Sequence, residues 1–300
     1  MSMIEEAIRK AKLKVAQREP EVRAAPAVVE SFDAGAPREL NQQQHAMLET
    51  RRSISLDRDA LRQAGLLPHP DDERRIKSEY RAIKRGLLAS FARGDDLGDR
   101  GIETVAMVTS AAPGEGKSFT SMNLALGLAE ELDWLVILVD ADVSKQHLTA
   151  VLGLQGESGL LDALSDTQAS LADVVHRTSS PKLMFVPAGR QSAESNELLS
   201  SSRMQFLLEQ LARDFPRSIV LLDSPPLLDT NEARALIDVA GQVLLVVRAD
   251  VTPRALVQQA VEVLGADRPV SLILNGAQRS SVGSYYYYGE QAEHAAARSS

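Results

Sequence analysis

The 300-residue chain has no cysteine, so it can hold neither a disulfide framework nor a cysteine-ligated zinc or iron–sulfur site. That composition fits a reducing compartment. Long apolar runs are missing as well. The unbroken ones are short, such as Trp134–Val139 and Val243–Val247, whereas a membrane-spanning helix needs about 20 apolar residues. No span is expected, and the opening MSMIEEAIRKAKLKV carries acids where an export signal has its apolar centre. Basic charge is in deficit: 33 Lys and Arg face 41 Asp and Glu, a formal net charge of −8. The excess acid lies beyond residue 100, where 14 basic side chains face 24 acidic ones. Phosphate neutralisation needs clustered Lys and Arg, so no nucleic-acid partner is expected. Aromatics are scarce, at six Phe, one Trp and five Tyr. Four of the five tyrosines are contiguous (Tyr285, Tyr286, Tyr287 and Tyr288) in a polar stretch near the end. Core burial does not account for a third of the aromatics in one polar segment.

Three regions follow from the patterning. Residues 1–70 read as an amphipathic helix over Met1–Gln17, with Ile4, Ile8, Ala11 and Val15 near one face, then a flexible Ala/Pro/Glu/Arg-rich linker over Glu19–Gln44. Residues 45–66 carry no assignable element. Residues 71–276 read as the folded domain. It opens with a charged helix over Asp71–Ala92, whose acids lie at the start and bases toward the end, matching the helix dipole. From Thr104, strand, loop and helix alternate. Candidate strands are Thr104–Thr109, Leu135–Val139, Leu183–Pro187, Ile219–Leu222, Val243–Val247 and Ser271–Leu274. Runs apolar on both faces, separated by helical segments, predict a mainly parallel, doubly wound α/β sheet with flanking helices. Residues 277–300 have no apolar period and read as a disordered tail carrying the tyrosines.

The strongest local signal is Ala111-Ala112-Pro113-Gly114-Glu115-Gly116-Lys117-Ser118, directly after a strand and opening a helix. That is the context of a phosphate-binding P-loop, in which glycines let backbone amides curl around phosphate oxygens. Pro113, Gly114, Glu115, Gly116, Lys117, Ser118 and Phe119 are the candidate nucleotide-binding residues. Lys117 would contact the β and γ phosphates of ATP, and Ser118 would hold Mg²⁺. Ala111 stands where the motif has its first glycine. A second signal is Asp140-Ala141-Asp142 at the end of LVILV, with two carboxylates opening onto the ligand edge of the sheet. One can serve Mg²⁺ or its water, and the other can take a hydroxyl proton. A third is Asp223 after the apolar strand Ile219–Leu222, the place for another acidic Mg²⁺ partner. Asn275, after SLIL, is a candidate adenine contact, and Arg248 either faces the site or ends its strand.

APGEGKS, ILVDAD and IVLLDSPP, followed by a tyrosine cluster, resemble the bacterial tyrosine kinases of the polysaccharide co-polymerase family. The likeness is greatest to the soluble autokinases that accompany exopolysaccharide and exosortase loci, and it covers residues 73–288. It implies a P-loop NTPase fold and ATP and Mg²⁺ as cofactors. Lys117, Asp140, Asp142 and Asp223 are then the catalytic residues. Ser118, Asp140 and Asp223 would serve the metal, and Tyr285–Tyr288 would be autophosphorylation sites modified by a neighbouring subunit in a ring. It also implies a membrane-anchored co-polymerase adaptor, a tyrosine phosphatase, and a cytoplasmic protein recruited to the inner face of the membrane. Two features depart from the family pattern. Val143 is followed by Ser144 and Lys145 where the family has a hydrophobic residue and arginine. The ring-forming E-x-x-R-x-x-R helix is matched only loosely by SEYRAIKR. Two other functions compete: a positioning-type P-loop ATPase, and a non-catalytic ATP-sensing scaffold. The positioning ATPases need a further lysine five residues before the phosphate-binding one, where this chain has Ala112.

Overall fold

Five strands carry unbroken apolar burial from end to end or nearly so, which is what a sheet covered on both faces requires. The computed structural model describes residues 53–92, 104–131, 134–265 and 268–277. The Met1–Gln17 helix, the Glu19–Gln44 linker and the tyrosine cluster lie outside the described residues. In chain order the elements are β1 (Ser53–Ile54), α1 (Arg58–Gln63), α2 (Glu73–Ala92), β2 (Val105–Ser110), α3 (Lys117–Leu128), β3 (Leu135–Asp140), α4 (His147–Val151), α5 (Leu160–Ser165), β4 (His176–Thr178), β5 (Leu183–Val186), α6 (Ser195–Leu199), α7 (Ser202–Asp214), β6 (Ser218–Asp223), α8 (Asn231–Ile237), β7 (Gln242–Arg248), α9 (Arg254–Leu264) and β8 (Val270–Asn275). The eight strands form one sheet in the order β1-β4-β5-β3-β6-β2-β7-β8. Every pair is parallel except β4 with β5.

Alternate side chains of each strand feed two separate cores. Val105, Met107, Ile137, Val139, Val220, Leu222, Val243 and Leu245 pack on one face, beneath residues of α5, α6, α7, α8 and α9. Ala106, Val108, Val136, Leu138, Ile219, Leu221, Leu244 and Val246 pack on the other, beneath α1, α2 and α3. The α2 stripe is Tyr80, Leu87 and Phe91, with Ile76, Ile83 and Leu88 at its margins. Tyr80 meets Phe119 of α3 edge to face, with ring centroids 6.4 Å apart.

The folded unit begins before the Asp71 boundary expected from the sequence. Ile54, Leu61, Leu66 and Leu67 are buried in the same core as α2 and α3. Their segment is anchored by β1–β4 pairing and by Asp57, which caps α1 through its carboxylate. Their apolar side chains are too few and too irregularly spaced to show a period, so the stretch looks unstructured until β4 is in place. β4 itself is three residues long and polar, with no apolar run to mark it as a strand. Among the described residues no helix is long and apolar enough to cross a membrane.

Candidate active site

The order β3-β6-β2 brings the C-terminal ends of three adjacent parallel strands together, and each delivers one of the predicted motifs. Asp140 and Asp223 are register partners on β3 and β6, so their backbones lie about 5 Å apart. Asp223 is also in register with Val108 of β2, just ahead of the glycine loop.

The loop after β2 is held by side chains from both sides. Thr109 Oγ1 donates to Pro225 O at 2.9 Å and Ser110 Oγ to Ala112 O at 2.7 Å. Glu115 is 3% exposed and points inward: its Oε2 accepts the Ala112 N–H at 3.1 Å, and its Oε1 accepts the Thr252 hydroxyl. Gly114 and Gly116 have φ of +78° and +95°, a region closed to most side chains. A Cβ on Gly116 would also sit 2.0 Å from Asn275 Nδ2. That amide instead donates to Glu115 O at 2.9 Å, while Arg248 Nη1 donates to Gly114 O at 3.1 Å. Asn275 and Arg248 therefore brace the loop from β8 and β7. The Phe119 ring turns away to Tyr80, so Phe119 and Glu115 can face a phosphate only through their backbone amides. Pro113 and Gly114 are exposed at the tip.

Helix α3 starts at Lys117, and its first backbone bond inside the helix is Thr120 N–H to Gly116 O at 2.9 Å. The amides of Lys117, Ser118 and Phe119 precede it and have no partner within the helix. Together with the helix dipole they form an anion cradle. Lys117 is 7% exposed and has no carboxylate within ion-pair distance among the described residues. Burial pulls its pKa below the ordinary lysine value, against the opposing pull of Asp223 and Asp142.

The three aspartates differ in their surroundings. Asp223 is buried and accepts the Ser121 hydroxyl at 2.8 Å and that of Ser118. Burial raises its pKa to about 6, with the two serines and Lys117 opposing. Asp140 has no exposed surface. Its Oδ2 accepts both the N–H and the hydroxyl of Thr149, at 2.8 and 2.7 Å, while its Oδ1 is buried with no hydrogen-bond partner. Burial first, and then neighbouring Asp223, pushes its pKa to about 7. Asp142 lies at the start of the following turn, where its Oδ1 accepts the Lys145 N–H at 3.3 Å.

A buried carboxylate oxygen with no donor, beside a second carboxylate and a serine hydroxyl, is a donor set that suits a hard divalent cation. The glycine cradle and buried lysine suit the phosphates of a nucleotide. The arrangement therefore fits Mg²⁺ and a nucleoside triphosphate. Several supporting residues were not singled out in the sequence. Ser121 could have been, since it lies one helical turn after Lys117 on the same face. Thr149 and Thr252 carry no local signal, because the chain reaches the site with them only through the fold. His147 is exposed at the start of α4, and among the described residues no cluster of His, Asp and Glu is arranged to hold a metal on its own.

A family model described as an AAA domain matches residues 103–264, the stretch from β2 to α9. The tyrosine-protein kinase YwqD of Bacillus subtilis is 32% identical over 213 residues, covering 70% of this chain and 85% of that protein. The tyrosine-protein kinase ptk of Acinetobacter johnsonii is 34% identical over 59% of this chain, which spans only 24% of that longer protein. Among solved structures, the VpsO kinase domain aligns with 30% identity and a TM-score of 0.51, over 66% of this chain and all of that one. The chain thus belongs to the bacterial tyrosine-kinase family, built on a P-loop α/β fold that binds nucleotide.

Proposed function

We propose that this chain is an ATP-dependent protein-tyrosine autokinase, with Tyr285–Tyr288 as its acceptors and exopolysaccharide synthesis or export as the process it regulates. The observation that carries the reading is the convergence of Asp142 and Asp223 on buried Lys117, with Asp140 in register beside Asp223, in a family of tyrosine kinases, in a chain with four consecutive tyrosines. The α3 amides and Lys117 bind and orient the phosphates. Bound Mg²⁺ would supply further neutralisation of charge on the transferred phosphoryl group. Ser118, Asp140 and Asp223 are the residues to hold it. Asp142 lies in the turn just past the end of β3, two residues beyond the fully buried Asp140, which suits it to take the tyrosine proton as general base. Lys117, buried without a paired carboxylate, keeps its charge available for the transition state.

From Asn275 to Tyr285 is ten residues, an extended reach of roughly 35 Å, enough to enter the site of a neighbouring copy. We place the ring contact on α2, where Arg81 and Arg85 are exposed and Glu79 pairs with Arg75 at 3.1 Å. A membrane-anchored adaptor would recruit the chain to the inner membrane face, and a tyrosine phosphatase would reset it. Each phosphate adds about −1.5 to −2 charges to a chain already at −8, so phosphorylation should loosen the assembly.

The test is incubation of the full chain with Mg-ATP, followed by mass spectrometry of the C-terminal peptide. Phosphotyrosine in the wild type and none in Lys117→Met is expected. Steady ATP hydrolysis with an unmodified tail would favour the positioning-ATPase reading and overturn this one.

A further inference from the structure

Lys145 is a cation on a rigid mount, and its side chain has no ion-pair partner among the described residues. It lies in the turn that follows β3, three residues after Asp142. Its N–H bonds to both Asp142 O at 3.1 Å and Asp142 Oδ1 at 3.3 Å, and the next N–H, of Gln146, bonds to Asp142 O at 2.7 Å. Gln146 has a φ of +50°, which ends the turn abruptly. Two side chains tie this turn to the loop after β5. Gln146 Nε2 donates to Gly189 O at 2.9 Å, and Gln191 Nε2 donates to the carbonyls of Val143 and Ser144. The Ser144 hydroxyl donates to Glu232 at 3.2 Å. The backbone beneath Lys145 is thus pinned from three directions, while its side chain is exposed.

The ammonium of Lys145 has no carboxylate within 4 Å among the described residues. The nearby acids are committed elsewhere: Asp140 to Thr149, Asp223 to Ser121, and Asp142 to the Lys145 backbone. Lys145 lies close enough to Lys117 to help lower that residue's proton affinity. Larger pulls on Lys117 come from Asp223 and Asp142, which offset this repulsion, but neither is within ion-pair distance of the Lys145 ammonium, and an anion between the two lysines would be attracted by both. The two reach that edge from different sides, Lys117 from the loop after β2 and Lys145 from the turn after β3, with β6 between them.

We infer that Lys145 is a second cationic ligand of the nucleotide, specific to the terminal phosphoryl group and set across the site from Lys117. The inference rests on the nucleotide-binding reading of the glycine loop and is independent of whether tyrosine is the acceptor.

The test compares binding of ADP and of a non-hydrolysable ATP analogue to the full-length wild type, Lys145→Met and Lys145→Arg, by calorimetry with Mg²⁺. Removing a charge-assisted contact should weaken the triphosphate analogue about ten- to hundredfold in Lys145→Met while leaving ADP unchanged. Lys145→Arg should recover most of the loss. Equal weakening of both nucleotides, or no change in either, overturns the assignment. A wild type that binds neither nucleotide overturns the phosphate-loop reading and this inference with it. Because Lys145 is exposed and its backbone makes the turn's hydrogen bonds, both variants should unfold at the wild-type temperature.

Discussion

Replacing Asp140 by asparagine should make the nucleotide-free protein more stable while removing its response to Mg-nucleotide. Asp140 has no exposed surface, and its pKa is pushed from the ordinary 3.8 to about 7. In the folded state it therefore holds a proton that the unfolded chain has already released. The sign follows from linkage: where the folded state binds more protons, stability falls as pH rises. The penalty is absent below about pH 4, grows between about 4 and 7, and is complete above 7. At about 1.4 kcal/mol per pH unit the gap amounts to about 4 kcal/mol. Asparagine removes that penalty but adds a cost. Its carbonyl can keep both Thr149 bonds. Its amino group then takes the place of Oδ1, which has no partner, and a buried unpaired donor costs about 1–3 kcal/mol. A net gain of about 1–3 kcal/mol remains at pH 8.

The assay is thermal unfolding of wild type and Asp140→Asn from pH 4 to pH 8, first without nucleotide. At about 2–4 °C per kcal/mol for a domain of this size, the variant should melt roughly 2–12 °C higher at pH 8. The advantage should vanish toward pH 4. The difference between the two proteins cancels the titrating groups that do not interact with Asp140; Asp223 does interact with it and loses that repulsion in the variant. With Mg-nucleotide added, the wild type should gain stability and the variant should not. A difference that is flat with pH, or a variant less stable at pH 8, would refute the reasoning: the first means that burial does not raise the Asp140 pKa, the second that the relieved charge is worth less than the unpaired amide.

Thr149→Val should cost about 2–4 kcal/mol in chemical denaturation, since it removes the hydroxyl bond to Asp140 and leaves the buried Ala188 N–H, now 2.9 Å from Thr149 Oγ1, without an acceptor; Thr149→Ser should restore most of it. Gly116→Ala forces a Cβ into the position of Asn275 Nδ2 at a φ of +95°, so it should cost about 2–3 kcal/mol from left-handed strain plus the lost amide bond and should weaken nucleotide binding at least tenfold. Asn275→Ala should show only the smaller part of that stability loss, about 1 kcal/mol, which separates the brace from the strain.

The part of the site that could be read from the sequence is the part whose chemistry is contiguous. A phosphate loop needs its glycines and lysine within a few residues, because one turn of backbone does the binding. Asp140, Asp142 and Asp223 are legible for a related reason: each follows an apolar run that can only be a buried parallel strand, and such strands end at the ligand edge. What escaped notice is held by contacts between distant segments. Thr149 becomes informative only when α4 folds back beneath β3 and its hydroxyl joins Asp140 to Ala188, residues 9 and 39 positions away. Glu115 looks in sequence like a loop residue facing solvent. Thr252, 137 positions on, turns it into a buried strut. The same logic explains β1, whose two residues have no period to detect and acquire a strand's geometry only by pairing with β4. Ligand-facing groups in this fold are encoded locally, and the groups that aim them are encoded by topology. Variants of the second kind should then act through orientation: with Asp140 holding Mg²⁺ as proposed above, a Thr149 substitution that leaves Asp140 in place should alter Mg²⁺ affinity before nucleotide affinity, since the α3 cradle contains no part of α4.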